Sequence, residues 1–334
     1  MPYKIIKTYA DAIEVSHPKP VNYISADEKL FQEWEKYRTF PHDLFELKDV
    51  CISNQGIVFK GLKHFDKALP HPIFRNQFGI FYLLTQKIFY KKNDMSNDNS
   101  HIILFDHWSC NNYYHWIIDS LCRLYIIKNE LQNLTLLLPE NPPEYILQSL
   151  GYFDCTNILF IKKNEYLQLK NLLVPNYAAW SGQQHPFVIK QLRDYMVNKT
   201  TISSNLNYDK VYVSRGKQKA RRVSNDKEVI NILTRYGFKV VYFEEMDLEQ
   251  QIALMKGVKH FVTSHGANLT NMLFMPEGSK VLELLRNDKP NFCYWSMADC
   301  LGLKYYYQLC SIEKEDHLAV DTIHLISNLE LFLS

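Results

Sequence analysis

The stretch that most constrains this chain is Phe261–Glu283, FVTSHGANLTNMLFMPEGSKVLE. Val258, Phe261 and Val262 form a short apolar run with no helical period, which predicts a buried strand. Ser264–Ala267 reads as a tight turn. Asn268 opens a short helix to Phe274 that turns Leu269, Met272 and Leu273 inward, and Pro276 and Gly278 stop it. Lys280–Leu285 then predicts a second buried strand, with the acid Glu283 towards its carboxyl end. A strand, a glycine turn and a helix start make a ready anion site, because free backbone N–H groups and the helix dipole both favour negative charge. Gly266 lets a phosphate approach the backbone where a Cβ would hold it off. The plainer alternative is an ordinary βαβ turn with a satisfied histidine.

The same signals continue on both sides of this stretch. Upstream, Lys210–Val213 predicts a strand, and Asn225 with Glu228 a capped helix that ends at Gly237. Lys239–Phe243 is the next strand, followed by a helix capped by Asp247 with Gln250. Downstream come a helix at Phe292–Leu301 and a strand at Leu303–Gln308. Strands and helices in alternation imply a doubly wound α/β half. In the first half, Val50–Phe59 predicts a hairpin turning at Asn54–Gly56. Lys91–Ser100 reads as an exposed turn or disordered loop. A strand at Ile102–Phe105, a loop at Asp106–Asn112 and a helix over about Tyr113–Asn129 follow, and further strands are expected at Leu134–Leu138, Ile158–Ile161 and Leu167–Val174. The small polar run Lys199–Asn207 reads as a linker. A chain of 334 residues favours two domains, here 1–198 and 208–310. A tail over 311–334 carries a helix at Asp321–Leu333, expected to pack back across the first domain.

Composition narrows the function. A net charge of +2 makes no case for nucleic acid as a partner. Seven cysteines, an odd number without CxxC spacing, argue against a disulfide framework or a zinc site. The start lacks the apolar core of a secretory signal, and no apolar run reaches membrane-spanning length. The expectation is a cytoplasmic protein.

Three groups carry candidate chemistry. His115 and Asp119 stand four apart on one helix face and can meet. They can act as a base and its orienter, Asp119 can itself be the base, or the two simply anchor the helix. Arg215 follows a strand's carboxyl end, where open α/β sheets bind ligands, and a guanidinium suits a diphosphate. Lys217, Lys219, Arg221 and Arg222 follow it, and the plainer reading of a solvated basic turn fits Lys217 and Lys219 better than Arg215. Glu283 suits ribose hydroxyls, or is a strand-end charge on the surface; Glu244 and Glu245 are weaker candidates for the same place. Dinucleotide-binding GxGxxG, Walker A and HExxH runs are absent, and no carboxylate pair is placed to hold a metal. A hydrolase built on Ser214 or Ser264 with His265 lacks the nucleophile elbow.

NYYHWIIDSLCRL (Asn112–Leu124), VYVSRGKQKARRVSN (Val211–Asn225), EQQIALM (Glu249–Met255) and HGANLTNMLFMPEGSKVLEL (His265–Leu284) stand in one order. Together they resemble glycosyltransferase family 61, over residues 102–308. The resemblance implies a GT-B architecture of two Rossmann-like domains facing across a cleft. It implies inverting transfer from a nucleotide-sugar; with no carboxylate pair placed for a metal, the transfer is expected to be metal-independent, with a UDP-sugar as substrate and no cofactor. It puts Arg215, His265, Gly266, Ala267 and Asn271 at the donor diphosphate, Glu283 near the ribose, and His115 and Asp119 on the acceptor side. The acceptor would be a glycan or lipid-linked glycan of bacterial capsule or lipooligosaccharide, bringing peripheral contact with the inner membrane. Ser264 departs from the family's usual glycine before His-Gly-Ala. The rival reading is a catalytically inactive glycan-binding or scaffold protein of the same fold.

Overall fold

After residue 208 the alternation of apolar strands and helices folds as a parallel sheet. A computed structural model of the chain describes residues 1–96, 100–202, 208–218 and 221–334. Lys219 and most of the expected linker, 203–207, lie outside the described residues. The chain divides into two α/β units, Met1–Glu14 with Arg38–Val188, and Val15–Tyr37 with Ile189–Ser334.

In the second unit the strands Lys210–Val213, Lys239–Val241, His260–Ser264, Lys280–Arg286 and Lys304–Ile312 pair in parallel. Numbered along the chain within this unit they lie in the order 2-1-3-4-5, with a short antiparallel strand, Leu318–Ala319, beyond. Side chains alternate across a strand, so each strand feeds both faces of the sheet. Tyr212, Val262, Leu282 and Tyr306 share a core with Val229 and Leu233 of the helix Asp226–Arg235. Their buried neighbours Val211, Phe261, Val281 and Tyr305 belong to the opposite face. The capping box expected at the next helix, Leu248–Met255, is complete: Asp247 accepts from Gln250 N at 2.8 Å, and Gln250 Oε1 accepts from Asp247 N at 3.0 Å.

The C-terminal helix, Thr322–Leu333, packs its stripe on the sheet of its own unit, where the sequence suggested the first domain. Asp321 caps it by accepting the N–H groups of Ile323 and His324. Its stripe of Leu325, Leu329 and Phe332 completes the core formed with Phe238, Leu282 and Tyr306. An apolar stripe takes the nearest uncovered apolar face, and here that face belongs to the parallel sheet. Residues 15–37 cover the sheet elsewhere. Val21 N donates to Tyr305 O at 2.9 Å, and the Asn22 amide brackets the backbone of Tyr307, so the outer strand is not left as a bare edge. Phe31 is fully buried against Phe292 and Trp295, at 4.2 and 4.9 Å between ring centroids.

Among the described residues the first unit holds a mixed sheet of nine strands. Ile158–Ile161, Thr135–Pro139, His101–Ile103 and Glu165–Pro175 run parallel, and Glu165–Pro175 pairs antiparallel with the long strand His42–Ser53. The hairpin turning at Asn54–Gly56 forms as expected. Gly56 has φ +77°, and a Cβ there would lie 2.5 Å from Phe105 O, so this turn presses on the start of the 106–112 loop. Two expectations change. Lys91–Met95 is a strand, because its backbone pairs with Glu165–Leu169 despite its polar side chains; residues 97–99 of that stretch lie outside the described residues. The helix after residue 112 is not uniform: His115–Ser120 is π-helical and Leu121–Ile126 is α-helical. No helix among the described residues is long and apolar enough to cross a membrane.

Candidate functional site

The strand order of the second unit reverses between Lys210–Val213 and His260–Ser264. Ligands of open α/β sheets bind outside the carboxyl ends of the strands at such a switch point. Arg215 follows the first of these strands and His265-Gly266 the second, so residues fifty apart in sequence arrive together. Gly266 has φ +147°, and a Cβ there would lie 2.4 Å from Arg215 Nη1. The glycine thus admits the guanidinium, where the sequence suggested room for a phosphate. Arg215 is 5% exposed and its Nε donates to Arg221 O at 3.2 Å. Its Nη1 has no hydrogen-bond partner among the described residues. Burial and the neighbouring Arg221 pull its pKa below the ordinary arginine value, partly offset by Glu244. A buried guanidinium with an unused donor is stabilised by an anion placed against it.

The backbone that follows supplies more donors. Ala267–Phe274 is a 3₁₀ helix whose N-cap is Gly266. Asn268 Nδ2, buried, also lacks a partner among the described residues. His265 Nδ1 meets Glu283 Oε1 at 2.5 Å, and Tyr305 Oη donates to Glu283 Oε2 at 2.6 Å. Glu283 is the fourth residue of its strand, not the last, and is fully buried. Both its oxygens are engaged, so it fixes the His265 ring. The turn at 214–216 is built from within: Tyr212 Oη and Ser214 Oγ each donate to Asp226 at 2.6 Å, and Gly216 N donates to Ser214 Oγ. Burial and the Asp226 carboxylate hold the Tyr212 phenol protonated, well above its usual range.

In the first unit, His115 Nδ1 lies 2.9 Å from Asp119 Oδ2. Ser181 Oγ donates to the same oxygen at 2.7 Å and lies 3.0 Å from His115 Nδ1. Trp108 stacks on the imidazole at 4.6 Å. The imidazole is 18% exposed and the carboxylate 6%. Beneath them Arg123 donates from Nε to Asp119 O at 3.1 Å and lies 4.0 Å over the Tyr177 ring, whose hydroxyl donates to Asp106 at 2.6 Å. A cavity of about 30 Å³ adjoins Asp119 and is lined by Arg123, Tyr177, His42 and His185. Burial, with Arg123 and His185 adding to it, pushes the His42 imidazole down to about 3.

The structure therefore gathers the sequence candidates in two places. Arg215, His265, Gly266 and Ala267 meet in the second unit, and His115 and Asp119 in the first. Asn271 Nδ2 donates to Gln251 Oε1 at 2.8 Å, a tie to the helix Leu248–Met255. Lys217 pairs with Glu245 near the surface, as a solvated turn requires. Ser181, Trp108 and Tyr305 carry no sequence signal, since each reaches the site across a long loop or a neighbouring strand. Asn268 was readable only as a helix start.

The sequence profile of Glycosyltransferase 61 matches residues 113–282, half of the chain. The chain belongs to the glycosyltransferase 61 family. The family match takes in every sequence candidate above except Glu283, which lies one residue beyond it. Similar proteins include the EGF domain-specific O-linked N-acetylglucosamine transferase of Drosophila melanogaster, 32% identical over 97 residues, which are 28% of this chain and 18% of that one. The rat protein of the same description is 26% identical over 138 residues, 39% of this chain and 26% of its own length. The chicken one is 31% identical over 90 residues, 25% and 17%. The matched stretches thus span about a quarter or less of these relatives.

Two outcomes follow from this geometry. Gly266→Ala forces a backbone conformation open almost only to glycine and drives a methyl into Arg215. It should cost about 1–3 kcal/mol of stability from backbone strain alone, read by urea unfolding. His42 is neutral in the fold but protonates near 6.5 when unfolded. The unfolded state therefore binds the extra proton, and stability falls as pH drops from 6.5 towards about 3. The loss is about 1.4 kcal/mol per pH unit in that window. His42→Phe should flatten the slope of unfolding free energy between about pH 6 and pH 4 by one proton; an unchanged slope would show that His42 does not carry it.

Proposed function

We propose that this chain is an inverting glycosyltransferase that takes a nucleotide-sugar donor on its second unit and an acceptor hydroxyl on its first. The observation that carries the donor half is the meeting of Arg215 with the His265–Asn268 turn at the switch point, with buried donors left to satisfy. In this reading Arg215 Nη1, Asn268 Nδ2 and the first N–H groups of the 3₁₀ helix hold the diphosphate. His265 Nε2 completes the set, its ring held by Glu283 and Tyr305, and Asn271 steadies the helix through Gln251. These groups stabilise the charge that grows on the leaving diphosphate, so no metal is needed for that role. The division of the chain into two α/β units supports a GT-B organisation, one half for each substrate.

The acceptor half rests on His115, Asp119 and Ser181. The buried Asp119 carboxylate fixes the tautomer and orientation of the His115 imidazole, which suits a general base. The acceptor O–H gives its proton to His115, the oxygen bonds to the anomeric carbon, and the bond from that carbon to the diphosphate oxygen breaks. The nucleoside diphosphate leaves with the electron pair and the anomeric configuration inverts. The donor is a UDP-sugar in this proposal. N-acetylglucosamine is the first sugar to test, since the relatives are named for its transfer. The acceptor is a glycan hydroxyl, as in the capsule and lipooligosaccharide enzymes that the motifs resemble.

The test separates the two halves. Calorimetry with UDP should show Arg215→Ala binding at least about tenfold more weakly, as loss of a charge-assisted hydrogen bond of about 1.5–3 kcal/mol requires. Arg215→Lys should restore only part, because the planar fork is lost. His115→Ala and Asp119→Asn should instead lower kcat by about 10²–10⁴ and leave UDP affinity nearly unchanged. Unaltered UDP binding in folded Arg215→Ala would remove the donor assignment. Near-normal turnover in both first-unit variants, with lowered melting temperatures, would reduce that pair to a helix anchor.

A further inference from the structure

The span 60–92 concentrates positive charge. It holds six lysines and one arginine against a single acid, Asp66, a net charge of +6 in a chain whose total is +2. Within it lies the helix Ile80–Phe89, which is amphipathic in the unusual direction. Leu83 packs inward on Cys51, Phe59 and Tyr166, and its inward companion is Gln86. The outward face carries Phe81 at 85% exposure, Phe89 at 75%, Ile88 at 67% and Ile80 at 57%. Positions 81, 88 and 89 follow the spacing that normally marks the core-facing stripe of a helix. Beside the helix start is an open groove of about 440 Å³, lined by Tyr3, Leu62, Phe65 and Ile80 and rimmed by Lys63 and Lys67. Lys87, Lys91 and Lys92 stand at the other end; Lys91 and Lys92 have acids near by, Glu165 at 4.0 Å and Asp94 at 3.5 Å.

Exposed apolar surface of this kind marks an interaction face. Large apolar side chains on one side of a helix, with lysines at its border, are what an interfacial helix presents to a membrane. Ten residues are too few to cross a bilayer, so the helix can only lie on it. A second copy of the chain is a poor partner, because apposing two such faces brings two clusters of cations together. Anionic headgroups supply the missing charge. We propose that the face formed by Ile80, Phe81, Ile88 and Phe89, with its lysine rim, docks on the surface of an anionic lipid bilayer. This does not rest on the glycosyl-transfer reading, and it is tested without any donor or acceptor.

The full chain is sedimented with vesicles of phosphatidylcholine containing about 30% phosphatidylglycerol, and with phosphatidylcholine alone. It should bind the anionic vesicles, weaken as salt rises, and bind the neutral ones at least about tenfold less. The double variant Phe81→Glu, Phe89→Glu should lose binding by at least about tenfold with an unchanged melting temperature, since both rings are exposed. Lys87→Glu with Lys91→Glu should lose binding to the anionic vesicles in the same way. The proposal is overturned if the protein ignores both vesicles, binds both equally, or binds equally with the phenylalanines replaced. It is also overturned if light scattering shows a dimer that Phe81→Glu dissolves.

Discussion

A guanidinium taken out of water needs an anion or a full set of acceptors, and Arg215 has neither complete. It is 5% exposed, gives one bond to Arg221 O and keeps an unused Nη1 among the described residues. Leaving a charged group so poorly matched is costly, and the surrounding structure must enforce it. The enforcement is visible. Asp226 gathers Tyr212 and Ser214 and fixes the turn that presents Arg215. The neighbouring turn has no side chain at Gly266, where a Cβ would lie 2.4 Å from Arg215 Nη1. Desolvation is concentrated at a topological switch point, where an anionic ligand would relieve it.

Both units also use one local device. In each, a histidine about one-fifth exposed is held by a carboxylate that is nearly or wholly buried: His115 by Asp119, and His265 by Glu283. In each, a hydroxyl donates to that carboxylate, Ser181 in the first unit and Tyr305 in the second. The hydroxyl and the imidazole share the cost of burying the acid, and the acid in turn fixes the ring. In the first unit the device sits on a π-helical turn, a feature frequent at functional positions. As a glycosyltransferase the chain would give the two rings opposite tasks, His115 taking a proton and His265 donating to phosphate.

Much of this was legible in the sequence. Strands such as Lys210–Val213 and Ile158–Ile161 were readable because short apolar runs bounded by turn residues have few other uses. The pairing of Asp247 with Gln250 announced its capping box. His115 with Asp119 followed from helical spacing alone. What could not be read is what depends on tertiary partners. Lys91–Met95 is polar yet becomes a strand because a partner backbone lies beside it. The stripe on Thr322–Leu333 was plain, but the surface it would cover was not. Gly266 marks a close approach, but the group that approaches it in the structure is Arg215, about fifty residues away in sequence, and no local signal names that partner. Glu283 looked like a strand-end acid because the run of Leu284, Leu285 and Arg286 after it does not say where pairing with the next strand stops.

A diphosphate bound at the switch point of the second unit would touch the turns at 214–217 and 265–268 at once. The most direct measurement is amide hydrogen exchange of the full chain with and without UDP. Protection should rise at residues 214–217 and 265–268 together, because one ligand would bridge both turns, and the first-unit segment 113–120 should change little. Unchanged exchange at both turns under saturating UDP, or protection confined to the first unit, would contradict the account.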